Sequence, residues 1–266
     1  MGHVVESCPR RPTNGLLAAL PPNELERLTS KLEPAHLAPR QILYGANVPI
    51  RTVYFLQSGM VSLVARLERG GSIEIGIVGS EGMVGLPLVL GVDSSPHETL
   101  VQTPALALCM GADALKEELD RCPAFRALLL RYEFALRAQI AQTAACNGRH
   151  SIEKRLARWL LMARDRLDLD TDELPLTQEL LATMLGVRRA GVTSAVGALQ
   201  RAGIVSFSKG RIVILDRRRL EDTSCECHEA IRREYERLGL VVAAKRSDRA
   251  AGAAVHTGEP SAQGRA

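Results

Sequence analysis

The residues best suited to chemistry lie between positions 175 and 215. The chain there reads Pro-Leu-Thr-Gln-Glu-Leu-Leu-Ala-Thr-Met-Leu-Gly-Val-Arg-Arg-Ala-Gly-Val-Thr-Ser-Ala-Val-Gly-Ala-Leu from position 175. Thr177 is placed to cap a helix running to about position 185, with Leu181, Met184 and Leu185 on its buried face. Gly186 supplies a tight turn, and Arg188 opens a second helix with Val192, Val196 and Leu199 facing inward. Two helices joined in this way form a helix-turn-helix. Residues 204–207 and 211–215, flanking Ser208-Lys209-Gly210, add a hairpin wing. Such a unit sets the start of its second helix against base edges in a major groove. Arginine reads guanine there through O6 and N7. Arg188 and Arg189 occupy that helix start, and Thr193 and Ser194 follow one turn on. Thr177 and Gln178, at a helix N-terminus, suit a phosphate, and Lys209 and Arg211 put charge on the wing. The expected partner is double-stranded DNA.

A second cluster is Cys225-Glu226-Cys227-His228. Three soft ligands in four residues could join a zinc, copper or redox site, so Cys225, Cys227 and His228 are the candidate metal ligands. The spacing is not that of a zinc finger, and packing against the winged domain is the competing explanation. The other cysteines, at 8, 109, 122 and 146, are isolated and read as buried, reduced thiols. With no export signal, the chain reads as cytoplasmic. His36, His97 and His150 are also isolated, which argues against a cupin-type metalloenzyme; no catalytic residue and no enzyme activity are expected.

These residues need elements to position them. Residues 1–15 read as a loose arm and 16–33 as one or two short helices, with Pro21-Pro22-Asn23 as a helix start. From about 39 to 111 the texture is β, punctuated by Gly59, Gly70-Gly71, Gly79, Gly82 and Gly85. Val61, Leu63 and Ala65 alternate onto one face of a strand, as do Ile73, Ile75 and Ile77 on the next. Asp113 is expected to cap a short helix to Arg121. A longer helix starts at Pro123 and runs to about position 146. Phe125, Leu128, Tyr132, Ala135 and Gln139 recur on it at spacings of three and four, a heptad seam that predicts a homodimer. Residues 147–150 read as a hinge, Ser151 caps the following helix, and 168–173 form an acidic loop.

Composition agrees. The 266 residues, 46% hydrophobic and 24% charged, suit about two globular domains. No run approaches the roughly 20 apolar residues of a membrane span, so no membrane partner is expected. The net charge is only +4, but residues 176–219 carry 8 Lys/Arg against 2 Asp/Glu. A basic block in a near-neutral chain is the footprint of an anionic partner.

A β-roll, a long helix, a hinge and a C-terminal winged helix-turn-helix together resemble the Crp/Fnr family of bacterial transcription regulators, over about residues 16–220. The sharpest segments are 176–199 and 52–85, the latter containing Val-Tyr-Phe-Leu-Gln-Ser-Gly-Met-Val. The fold class implied is α+β: an N-terminal antiparallel, jelly-roll-like β-roll over 16–122, a dimerisation helix over 123–147, a winged helix-turn-helix over 148–220, a C-terminal helix over 221–240 and a disordered tail over 241–266. The resemblance implies a homodimer whose roll senses a signal and repositions the DNA-binding domain, with RNA polymerase as a further partner. Arg189 matches the family's base-reading arginine; Ala190 and Ser194 replace a frequent glutamate and arginine, which implies a different operator. The family's cyclic-nucleotide pocket uses a glutamate after a glycine and then an Arg-Ser pair. Here Leu86 follows Gly85, and the pair falls near His97-Glu98, so cyclic nucleotide binding is not expected. The cofactor is unknown, and DNA binding requires none by sequence. A redox or metal sensor acting through Cys225 and Cys227 is the alternative form of the same regulator.

Overall fold

The computed structural model describes residues 12–68, 71–167 and 173–240. Most of the expected arm, Cys8, Gly70, most of the acidic loop and the tail beyond 240 lie outside the described residues. Asn14 bonds in two directions: its Oδ1 accepts from the Leu16 and Leu17 amides, and its Nδ2 donates to the carbonyls of Leu56 and Gly82. That caps α1 (Gly15–Ala18) and ties it to the sheet. Helix α2 (Pro22–Thr29) follows, with proline at its first position.

The roll consists of two four-stranded antiparallel sheets. Its strands are β1 (Glu33–Leu37), β2 (Ile42–Tyr44), β3 (Thr52–Ser58), β4 (Val61–Arg66), β5 (Ser72–Val78), β6 (Met83–Val84), β7 (Glu98–Val101) and β8 (Ala105–Gly111). One sheet has the order β1-β8-β3-β6 and the other β2-β7-β4-β5. The expected simple alternation fails in β4 and β5. The register shifts between Leu63 and Val64, so Val61, Ser62 and Val64 are buried while Leu63 and Ala65 are only half-buried. In β5 the buried set includes Glu74 and Ile77, and Ile73 and Ile75 are half-buried. A bulge re-aims side chains in this way, and both faces of this sheet meet other parts of the chain.

Helix α3 (Ala112–Arg121) begins after Gly111, not at Asp113. Asp113 lies in the first turn, where a carboxylate favours the helix dipole without capping it. Helix α4 (Pro123–Arg149) is longer than expected; its 27 residues make a rod of about 40 Å. The break comes only at His150 and Ser151, both extended, and Ser151 then caps α5 (Ile152–Arg166).

The proposed heptad seam faces inward, not toward a partner. Phe125, Leu128, Tyr132, Ala135 and Gln139 are all buried within the single chain. Phe125 packs on Phe55 with ring centroids 6.0 Å apart. Tyr132 meets Tyr235 edge-on at 6.4 Å. Gln139 accepts from the Ile77 amide at 2.9 Å and donates to the Tyr235 hydroxyl at 2.8 Å. A core-facing stripe has the same spacing as a coiled-coil seam, which is why periodicity alone chose the wrong face. The opposite face leaves Leu130 at 42% and Phe134 at 50% exposure.

The C-terminal part contains β9 (Glu173–Leu174), α6 (Gln178–Leu185), α7 (Arg189–Arg201), β10 (Val205–Ser208), β11 (Arg211–Ile214), α8 (Arg217–Thr223) and α9 (Cys227–Arg237). Strands β10, β11 and β9 form a small antiparallel sheet; β9 falls at the end of what the sequence reads as a loop. One hydrophobic core runs from Leu16 to Leu240 without a gap between the roll and this region.

Candidate nucleic-acid interface

Thr177 has extended backbone, and its Oγ1 accepts from the Leu180 amide at 3.2 Å, so α6 starts where expected. Gly186 ends it at φ +61°, a conformation that favours glycine; a Cβ there would also strike Ile73 of β5. Arg188 takes the N-cap position of α7 without a capping side-chain bond. Leu181, Met184, Leu185, Val192, Val196 and Leu199 are buried, as the sequence pattern requires. Lys209 (φ +49°) and Gly210 (φ +74°) form a two-residue hairpin turn with both residues left-handed, which fixes the wing.

The candidate contact residues share one surface. Arg188, Arg189, Thr193 and Ser194 are exposed along the outer side of α7. Gln178 Oε1 accepts from Thr193 Oγ1 at 2.9 Å, which joins the start of α6 to α7. A Cβ on Gly210 would lie 3.5 Å from Thr177 Cγ2, so the wing tip abuts the same helix start. Two partners were not visible in the sequence. Arg189 Nη1 lies 2.7 Å from Glu179 Oε1, with both side chains largely exposed. Arg211 is paired with Glu173 of β9, and Lys209 has no ion pair among the described residues. Nothing in local spacing links residue 211 to 173; the third wing strand makes that pair.

The unit is anchored to the roll. Met184 Sδ accepts from Gln102 Nε2 at 3.3 Å and lies 3.8 Å from Ser62 Oγ. Trp159 Nε1 donates to Glu74 Oε1 at 2.5 Å, and Ser62 Oγ donates to the other oxygen of Glu74. Burial pushes the Glu74 carboxyl up to about 7, against the lowering effect of those two bonds and of Arg158 and Arg166.

A second concavity of about 220 Å³ lies between the roll and α4, lined by Tyr44, Leu63, Leu86, His97, Leu136 and Ile140 among others. Arg66 holds Glu98 through both oxygens at 2.8–3.0 Å, so that carboxylate is already paired. Arg137, also on the lining, is 2.7 Å from Glu133. Burial lowers the pKa of His97.

The C-terminal cysteines gather a different set from the one expected. Cys225 and Cys227 meet Cys146 and His150, the latter two one turn apart at the end of α4. His228 turns away, its Nε2 2.9 Å from Asp165 Oδ2. The spacing of Cys146 and His150 was the available signal.

A β-roll, a connecting rod and a winged helix-turn-helix define a class of DNA-binding transcription regulator. The family model of the cyclic nucleotide-binding domain matches residues 34–122, and that of the Crp-like helix-turn-helix domain matches 154–223. Together they cover more than half of the chain, and the protein belongs to the Crp/Fnr family of transcription regulators. It is 27% identical over 176 residues to a global nitrogen regulator from Nostoc sp., covering 62% of this chain and 78% of that one. It is 22% identical over 211 residues to a CRP-like cAMP-activated global transcriptional regulator from Mycobacterium tuberculosis, covering 77% and 94%. Among solved structures, FixK2 from Bradyrhizobium japonicum matches with a TM-score of 0.64 at 18% identity, covering 73% of this chain and 98% of that one. A CRP-family regulator from Thermus thermophilus matches at 0.61 and 20% identity, covering 71% and 96%. Among the described residues no helix is long and apolar enough to cross a membrane.

Proposed function

We propose that the protein is a homodimeric, sequence-specific DNA-binding regulator in which the roll responds to a signal other than a cyclic nucleotide. The observation that carries the DNA reading is the single exposed surface joining the outer side of α7, the start of α6 and the wing tip. Arg189 reads a base, Arg188, Thr193 and Ser194 contact bases or phosphates, Thr177 and Gln178 hold phosphate, and Lys209 and Arg211 contact backbone. The Glu179 carboxylate holds Arg189 in reserve until a guanine replaces it. The partner protomer docks on the outward stripe of α4, where exposed Ala127, Leu130, Phe134, Ala141 and Ala144 fall at spacings of three, four and seven. The apolar cavity between roll and α4 is the signal site; Arg137 on its lining is paired with Glu133, so it offers a cyclic phosphate no free arginine. RNA polymerase is the expected partner once DNA is bound, and the cytoplasm the expected location.

Selection from a randomised duplex library tests this. The expected product is a pseudo-palindrome whose half-sites lie about one helical turn, roughly 34 Å, apart or a multiple of it. Recovery of no motif, with affinity that follows only salt, would leave a nonspecific binder instead.

A further inference from the structure

We propose that Cys146, His150, Cys225 and Cys227 bind one zinc ion and so fasten α9 to the end of α4. Their four ligand atoms lie within 4.8 Å of one another, as one central ion requires. Tetrahedral zinc, with Zn–S about 2.3 Å and Zn–N about 2.0 Å, sets ligand atoms roughly 3.8 Å apart for sulfur pairs and roughly 3.5 Å apart for sulfur and nitrogen. Cys146 Sγ and Cys225 Sγ are 3.5 Å apart, and Cys227 Sγ lies 3.6 Å from His150 Nδ1. Three thiolates and an imidazole, all from protein, make the closed donor set of a structural zinc site. A multi-iron cluster would spread its ligand atoms around several metals and does not fit so small a group.

The surroundings favour coordination over a thiol pair. His150 Nε2 is 3.3 Å from Glu226 Oε1, which favours the proton on Nε2 and leaves the Nδ1 lone pair directed at Cys227. Glu226 stands between the two cysteines, so one short segment supplies both sulfurs and the carboxylate that orients the histidine. Gln142 Nε2 donates to Cys227 Sγ at 3.0 Å, a bond that strengthens to a thiolate. A Cys146–Cys225 disulfide would use two of the four groups and leave the alignment of Cys227, His150 and Glu226 without a task. Binding displaces the thiol protons to solvent, with no change in sulfur oxidation state.

The site joins the last turn of α4 to the start of α9, immediately before the bend into α5. Metal occupancy therefore adds a cross-link at that bend to the His228–Asp165 contact that already holds the start of α9. The inference is independent of the DNA reading, because metal content is measured on the protein alone.

Full-length protein purified anaerobically without chelator should contain one zinc per chain by elemental mass spectrometry. Cys227→Ser and His150→Ala should each lose most of it, whereas Cys109→Ser, outside the cluster, should retain it. Should the variants fail to fold by circular dichroism, the wild-type protein still decides. Stripped of metal and titrated with cobalt(II), it should develop the visible bands of tetrahedral cobalt thiolate at one equivalent, and zinc should abolish them. Reduced wild-type protein that binds neither ion would overturn the proposal. So would an anaerobic preparation whose intact mass and thiol count show Cys146 and Cys225 disulfide-bonded.

Discussion

Arg166 Nε lies 2.7 Å from Glu81 Oε1, and both side chains are almost wholly buried. Arg166 ends α5, while Glu81 sits in the turn between β5 and β6, so the pair crosses from the DNA-binding half to the roll. The guanidinium also lies 5.7 Å from the centre of the Tyr235 ring on α9. The opposite charge of Glu81 outweighs the effect of burial and raises the Arg166 pKa, so the arginine stays charged. Removing one member of a buried pair strands the other, at a cost of about 3–5 kcal/mol. Glu81→Gln should lower stability by that order in urea unfolding. Glu81→Leu combined with Arg166→Met should recover most of it. A loss from Glu81→Gln within experimental error would mean that the pair carries no such weight.

Glu74 makes stability depend on pH. Its carboxyl is raised from an ordinary 4.5 to about 7 in the fold. A raised acid stabilises the fold fully below its unfolded value, and that contribution is lost as pH climbs through the folded one. The difference corresponds to about 3 kcal/mol between mildly acidic and alkaline conditions. Glu74→Gln should be the more stable protein on the alkaline side and should flatten the profile across neutrality. Parallel profiles for the two proteins would remove Glu74 as the cause.

At the proposed DNA surface three substitutions should behave differently. Arg189→Ala should cost about 1–3 kcal/mol on the selected operator and relax preference at one base position. Lys209→Ala should weaken all duplexes alike and reduce the salt slope by roughly one. Glu179→Ala should tighten operator binding slightly, since an exposed ion pair competing for Arg189 is worth up to about 1 kcal/mol. Equal losses on every sequence from both cation variants would sink the base-reading role.

The outer face of α4 should carry the dimer contact. Leu130→Glu and Phe134→Glu should give soluble monomers by sedimentation, with normal circular dichroism and collapsed operator affinity. Leu128→Glu and Tyr132→Glu, buried in the chain's own core, should instead unfold it. The reverse pattern would restore the inner seam as the interface.

Cyclic AMP or cyclic GMP should leave the melting temperature unchanged. A ligand at a hundredfold excess over its Kd adds about 2.7 kcal/mol to a folded state that binds it. Saturable calorimetric binding tighter than about 100 μM, near −5.5 kcal/mol, would show that the cavity accepts a cyclic phosphate after all.

The helix-turn-helix was legible because its signals are local. Thr177, Gly186, the buried leucines and valines and the Lys209–Gly210 turn each dictate the conformation of their own few residues. The roll was legible as strands but not in detail, because a bulge at Leu63/Val64 answers to packing from the far side of the sheet. The α4 seam misled for a similar reason. Apolar residues stand on both of its faces, and nothing in their spacing says which one meets the roll. The metal cluster draws on positions 146, 150, 225 and 227, brought together only by the antiparallel return of α9. Sequence proximity offered His228 instead, which tertiary structure assigns to Asp165.

Helix α9 is the last described element to leave the ribosome, yet it completes the contacts of much earlier ones. Tyr235 supplies the partner for the Gln139 amide and the ring beside Tyr132 and Arg166. Domains usually fold as units during synthesis, N-terminal first. Here the nascent roll and rod must wait, with part of their interface open to water, until the final helix is translated. A message cut short before codon 225 would release a chain that carries every candidate DNA-contacting residue and is still unfinished at its centre.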